Sequence, residues 1–130
     1  ATSTEDPQTR KVYESAAALT SILADVPVHV IPCIERRLEG VPLVASASAW
    51  ASIIPAAWSF LLALRSRGLG SVWTTLHLAK ADEVAELLGI PDTVTQVALF
   101  PVAYTIGTDF KPAVRPPVDT ITSWNTWGDR

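Results

Sequence analysis

The sequence predicts a single domain of mixed helices and strands, organised around one long helix that is apolar on every side. Three observations carry this reading. A chain of 130 residues fits one domain, and at that size roughly two thirds of the unfolded surface is buried on folding. From Gly40 to Leu64, 25 consecutive residues carry no charge. Around that run, segments with helical apolar spacing alternate with short segments rich in β-branched residues, the two patterns that separate helices from strands.

The elements follow in order. After a polar lead (Thr4-Glu5-Asp6-Pro7-Gln8), Val12, Ala16, Leu19, Ile22 and Leu23 recur at three- and four-residue steps, which predicts an amphipathic helix from about Thr9 to Leu23. Val26 to Ile34 is β-branched and almost uncharged, so it reads as a buried strand, with Pro27 and Pro32 restricting its ladder. A charged turn from Glu35 to Gly40 leads into the long helix, expected from Ala45 or Ser46 to Arg67. Gly68 suits the position after its end, and Arg65 and Arg67 suit the negative pole of its dipole. Gly70 to Leu76 is expected to be extended. Ala81 to Leu88 forms a short helix with Asp82 and Glu83 in its first turn and Gly89 as its stop. Val94 to Ile106 reads as a second long strand, and a proline-rich tail carrying Trp124 and Trp127 follows.

Gly40 to Leu64 is long enough for the ~30 Å hydrocarbon core of a bilayer. Its content argues against a membrane span. Ser46, Ser48, Ser52 and Ser59 interrupt it, alanine outnumbers leucine, Pro42 and Pro55 break it, and arginines flank both ends without a one-sided bias. A water-soluble helix that is apolar all round must be covered on all sides. A second subunit is the economical cover, and Ala45, Ala47, Ala49, Ala56, Ala57 and Ala63 permit close approach. The alternative is the central helix of a larger monomer.

Composition narrows the function classes. The net charge is -3 and the ten basic residues are scattered, so nucleic acid is not expected as a partner. The single cysteine, Cys33, forms no internal disulfide, the opening residues do not read as a secretory leader, and the expected address is the cytoplasm. His29 and His77 lie far apart with no metal-ligand spacing around them, and neither a Gly-x-Ser-x-Gly elbow nor a Walker loop is present. Gly68-Leu69-Gly70 taken alone needs only to be a helix stop and a tight turn.

Five blocks in register say more: Pro55 to Leu64; Gly68-Leu69-Gly70-Ser71-Val72-Trp73-Thr74-Thr75-Leu76-His77; Glu86-Leu87-Leu88-Gly89-Ile90-Pro91; Leu99-Phe100-Pro101-Val102-Ala103-Tyr104; and Phe110 to Pro117. Together, from about Gln8 to Trp127, they resemble the C-terminal part of the FMN-dependent nitroreductase family, in its actinobacterial form. The resemblance implies an α+β fold, a mainly antiparallel sheet wrapped by helices, with the long helix at a homodimer interface. It implies FMN as cofactor, NADH or NADPH as reductant, and a small-molecule electron acceptor such as a nitroaromatic or quinone. By position, Trp73, Thr74, Thr75 and Leu76 correspond to the family's strip along the flavin edge, Arg115 to its phosphate-binding arginine, and Lys111 adds charge nearby. Trp73 and His77 are the candidates for the acceptor pocket. No side chain is assigned as catalytic acid or base, because the cofactor carries the hydride chemistry.

Two departures from the family pattern stand out. Ala103 occupies a position where many members have glycine, and the N-terminal phosphate motif Arg-x-Ser-x-Arg and the asparagine-containing flavin loop have no match, Arg10 being no substitute. With no methionine in the chain, the expectation is a C-terminal portion of the nitroreductase-like domain whose first third is removed or supplied as another polypeptide. The rival expectation is a non-catalytic flavin-binding module, or a fragment that completes a site only with a partner. A cobalamin-pathway or dehalogenating flavoenzyme is a third.

Overall fold

The computed structural model describes residues 7–129. These form two compact units. Residues 20–108 make up one, and residues 7–19 with 109–129 make up the other.

The first helix, α1 (Pro7–Ile22), lies within two residues of the expected bounds at its start and one at its end. Its apolar positions are not buried: Val12 and Ile22 are exposed, and no residue of the helix is fully covered. A short 3₁₀ turn (Leu23–Asp25) follows, its first carbonyl accepting hydrogen bonds from the Val26 N–H at 3.2 Å and, at 3.1 Å, pairing with His29 Nε2.

The single strand expected over Val26 to Ile34 is divided into β1 (Val28–Val30) and β2 (Cys33–Ile34). The break falls at Ile31-Pro32, where proline has no N–H to offer a ladder. The Pro32 carbonyl instead accepts the Val97 N–H at 2.9 Å. The Val94 to Ile106 segment is divided in the same way, into β4 (Thr95–Gln96) and β5 (Phe100–Tyr104). Its two halves serve different partners: β4 pairs with β2, whereas β5 is the centre of an antiparallel sheet in the order β1-β5-β3, where β3 is Leu69–Ser71.

Between these strands runs α2 (Leu43–Arg65), which starts earlier than expected. Pro42 sits just before it with extended dihedrals, and its carbonyl takes both the Ala45 and Ser46 N–H groups at 3.0 Å. Pro55 lies inside the helix without ending it. At the far end, Gly68 adopts φ +74°, a left-handed conformation that the turn into β3 requires.

The core of the larger unit forms where α2 lies on the β1-β5-β3 sheet. Ala57 and Leu64 of α2 meet Ala98, Phe100 and Val102, with Val30, Leu61, Leu69 and Trp73 packed around them. Phe100 has no exposed surface and stacks near Phe60, ring centroids 6.2 Å apart. Only Ala49, Ala57 and Leu64 of the helix are buried. The expectation of a helix covered on all sides is therefore not met by this chain alone: Ile54, Trp58 and Leu62 remain exposed. By length and composition α2 also passes the test for a membrane span, with a mean hydropathy of 1.6, a test that core helices of soluble proteins pass as well.

After β3 the chain was expected to stay extended to Leu76. It does so only as far as an isolated bridge at Thr74, and a 3₁₀ segment then occupies Leu76–Lys80. The short helix α3 (Ala81–Leu88) has the expected bounds, and Gly89 at φ +66° closes it, with the Ile90 N–H reaching back to the Ala85 carbonyl at 2.9 Å. In the smaller unit a 3₁₀ turn (Val118–Ile121) and a terminal loop, in which the Trp124 N–H donates to the Asp129 carbonyl at 2.8 Å, account for the tail's local order.

Candidate functional site

Trp73, Thr74, Thr75 and Leu76 form one continuous strip between β3 and the 3₁₀ segment, but the structure gives them different tasks. Trp73 is half-buried and tilts over Phe100 with ring centroids 5.1 Å apart and planes at 59°, an arrangement favoured by the aromatic quadrupole. Its place is thus partly in the core. Thr74 is fixed to Leu99 by three hydrogen bonds. Its N–H and its Oγ1 both donate to the Leu99 carbonyl, at 3.1 and 2.9 Å, and the Leu99 N–H donates back to the Thr74 carbonyl at 2.9 Å. Both donors of Thr74 are therefore consumed inside the protein.

Thr75 is the opposite case. It precedes the 3₁₀ segment, at φ -132° and ψ -1°, where a threonine hydroxyl commonly caps the following turn, yet it makes no cap bond. Its carbonyl accepts the Leu78 N–H at 3.0 Å, while its own N–H and hydroxyl have no hydrogen-bond partner among the described residues. The side chain is exposed, as is that of Leu76.

His77 sits one turn further on. Both ring nitrogens are closed off from water and have no hydrogen-bond partner among the described residues, and this desolvation holds the imidazole pKa below its ordinary value. Ser71 Oγ in β3 is likewise buried without a partner among the described residues. Lys111 and Arg115 belong to the other unit, on an exposed segment without regular secondary structure, and neither has a carboxylate within ion-pair distance among the described residues.

Sequence reasoning missed two features. Leu99 anchors the strip through its backbone, a role that no side-chain pattern announces. The second is a cleft of about 520 Å³ whose lining includes Trp50, Leu78, Ala85, Ile90 and Gln96. Gln96 is buried, donating from Nε2 to the Ala81 carbonyl at 2.8 Å and leaving Oε1 unpartnered among the described residues. The one available signal was a lone amide inside the apolar run from Val94 to Val102.

Residues 2–104 match the model of the Nitroreductase family, a span that includes α1 to β5 and the whole Trp73–Leu76 strip. The chain belongs to the nitroreductase family. A curated relative from Methanothermobacter thermautotrophicus, provisionally named an NADH dehydrogenase/NAD(P)H nitroreductase, is 30% identical over 87 residues, covering 65% of this chain and 43% of the relative. This nitroreductase-family chain thus spans less than half the length of that relative.

Solved structures carry the same α+β fold. One, from Parabacteroides distasonis, aligns with a TM-score of 0.53 at 20% identity, covering 88% of this chain and 86% of its own. Another, from Exiguobacterium sibiricum, aligns with a TM-score of 0.51 at 18% identity, covering 91% of this chain and 56% of its own. Both bear provisional nitroreductase names, and the second is a complex with FMN. The expected family and α+β fold are confirmed, with a smaller sheet than two long strands implied.

Proposed function

We propose that this nitroreductase-family chain is the flavin-edge portion of an FMN-dependent oxidoreductase. The observation that carries the proposal is Thr75: within the family-matched region, it presents an N–H and a hydroxyl with no partner among the described residues, at the position where the resemblance expects donors toward the ring. A flavin edge is electron-rich at its nitrogens and carbonyl oxygens, so unpaired donors held in place fit it. When bound, FMN supplies the hydride chemistry between NADH or NADPH and a small acceptor such as a nitroaromatic or quinone.

The protein's own part in such a reaction is to bind, orient and exclude. Thr75 donates toward the ring edge. Trp73, braced on Phe100, and His77 border the space in which reductant and acceptor take turns, the order of events of a ping-pong scheme. A neutral His77 suits that role, since its desolvated ring disfavours a positive charge. Arg115, with Lys111 beside it in sequence, holds the phosphate through charge-assisted hydrogen bonds worth about 1.5–3 kcal/mol. The same reading pairs two copies through α2 and sets the protein in the cytoplasm, where a thiol such as Cys33 stays reduced.

The test is direct. The purified chain titrated with FMN is expected to give saturable binding with a perturbed flavin spectrum, and Arg115→Ala is expected to weaken that binding about tenfold or more. Absence of flavin binding, by this chain alone and in the presence of a polypeptide carrying the family's N-terminal phosphate motif, removes the proposal. Binding without NADH- or NADPH-driven turnover of a quinone or nitroaromatic points to the non-catalytic flavin module instead.

A further inference from the structure

Thr74 and Thr75 are adjacent and chemically identical, yet among the described residues one has every donor satisfied and the other has none. Thr75 is also pinned from both sides. On its N-terminal side lies the Thr74–Leu99 bridge, with two donors converging on the Leu99 carbonyl at 3.1 and 2.9 Å. On its C-terminal side its own carbonyl accepts the Leu78 N–H at 3.0 Å. A donor without a partner, fixed between two hydrogen-bonded anchors, needs little reorganisation to meet a ligand, which is the condition for preorganised electrostatic stabilisation.

We propose that Thr74 is the positioning residue of the strip: its hydroxyl, by doubling the backbone bond to Leu99, holds the Thr75 N–H and hydroxyl ready for the electron-rich edge of a flavin. This rests on the FMN reading above and refines it. It assigns contact with the ligand to Thr75 and denies it to Thr74, whose side chain faces Leu99 and is partly buried. It also accounts for threonine at position 74, since a valine of the same shape fills the space but cannot make the second bond to the Leu99 carbonyl.

The test compares the wild-type chain with Thr74→Val, which keeps the shape, and Thr74→Ser, which keeps the hydroxyl. Two readouts are used: FMN affinity by flavin fluorescence, and amide hydrogen exchange at residue 74 and Leu99. Thr74→Val is expected to weaken FMN binding roughly 3- to 10-fold and to speed exchange at both amides by a similar factor, with β1-β5-β3 protection unchanged. Thr74→Ser restores both. If wild type and Thr74→Val bind FMN equally, or if Thr74→Val lowers thermal stability while leaving affinity and local exchange intact, the positioning role is overturned and the flavin reading stands. If wild type binds no FMN, alone or with a polypeptide carrying the family's N-terminal phosphate motif, the flavin reading falls, and the ligand role of Thr75 falls with it.

Discussion

At the scale of single residues, similar letters in the sequence do different work in the fold. Gly68 and Gly70 read alike as parts of a turn. In the structure only Gly68 needs the left-handed backbone, whereas Gly70 lies in β3 opposite Ala103, where a Cβ would meet the Thr105 methyl. Gly70→Ala is therefore expected to destabilise by about 1 kcal/mol, because the half-buried Thr105 side chain, held by its bond to the Gly107 carbonyl, must shift to admit the Cβ. Thr105→Ser, which removes that methyl but keeps the hydroxyl that donates to the Gly107 carbonyl at 2.9 Å, should recover most of the loss in the double variant. Chemical denaturation of the four proteins checks this, and simple additivity would count against the contact. His77 gives a pH prediction. Its pKa is lower folded than unfolded because burial of the ring nitrogens disfavours the imidazolium. The folded state then binds fewer protons. The stability is fully present above the unfolded value of about 6.5 and is lost as pH falls through it toward the folded pKa. Urea midpoints for wild type should drop between about pH 7 and 5, and His77→Gln should flatten that drop. A parallel decline in both proteins would assign the pH dependence to other groups.

At the scale of elements, local pattern located the three α-helices of the described residues, α3 to the residue and α2 within about two at each end, because cap chemistry and apolar spacing are local properties, whereas the 3₁₀ segments were not foreseen. The strands were harder. Val26 to Ile34 and Val94 to Ile106 each read as one strand, since β-branched content does not report which neighbour a residue pairs with. The breaks at Ile31-Pro32 and Val97 to Leu99 exist because β2 and β4 pair apart from the sheet centred on β5, a tertiary fact. The strip after β3 was legible only through the family resemblance, and its division between Thr74 and Thr75 was not legible at all, because it depends on the distant carbonyl of Leu99. Pro55 tests α2 itself. It removes an N–H from the helix interior, leaving the Ala51 carbonyl without its usual acceptor role, yet the helix runs on to Arg65. Pro55→Ala should restore that bond and stabilise the protein by about 1–3 kcal/mol, read as a higher denaturation midpoint. A loss of stability would mean instead that the packing of Ala57 and Leu64 onto the sheet depends on the proline.

At the scale of the molecule, the question is what α2 is for. Its apolar surface exceeds what this chain covers: Ala57, Leu61 and Leu64 meet the sheet, while Ile54, Trp58 and Leu62, at four-residue steps, form an exposed stripe beside them. A contiguous apolar stripe of this kind is the sort of surface on which chains associate, and the dimer proposed above would cover it with a second copy of the same helix, a self-complementary partner of the kind a two-fold axis requires. Small residues along the helix permit close approach. The expected outcome is a dimer in light scattering, about twice the 14.0 kDa chain mass, at micromolar concentration. Trp58→Asp places a charge at the centre of the stripe, where truncation of a buried aromatic typically costs 2 kcal/mol or more, so its dimer dissociation constant should rise by roughly 30-fold or more. Because Trp58 is exposed in the single chain, the variant should fold as wild type does, with the same far-ultraviolet circular dichroism. Glu14→Gln, on the exposed surface of α1, serves as a control that leaves the mass unchanged. A wild-type chain that stays at its monomer mass across that concentration range would remove the second copy as the cover of α2, and the stripe would then have to be met by a different polypeptide.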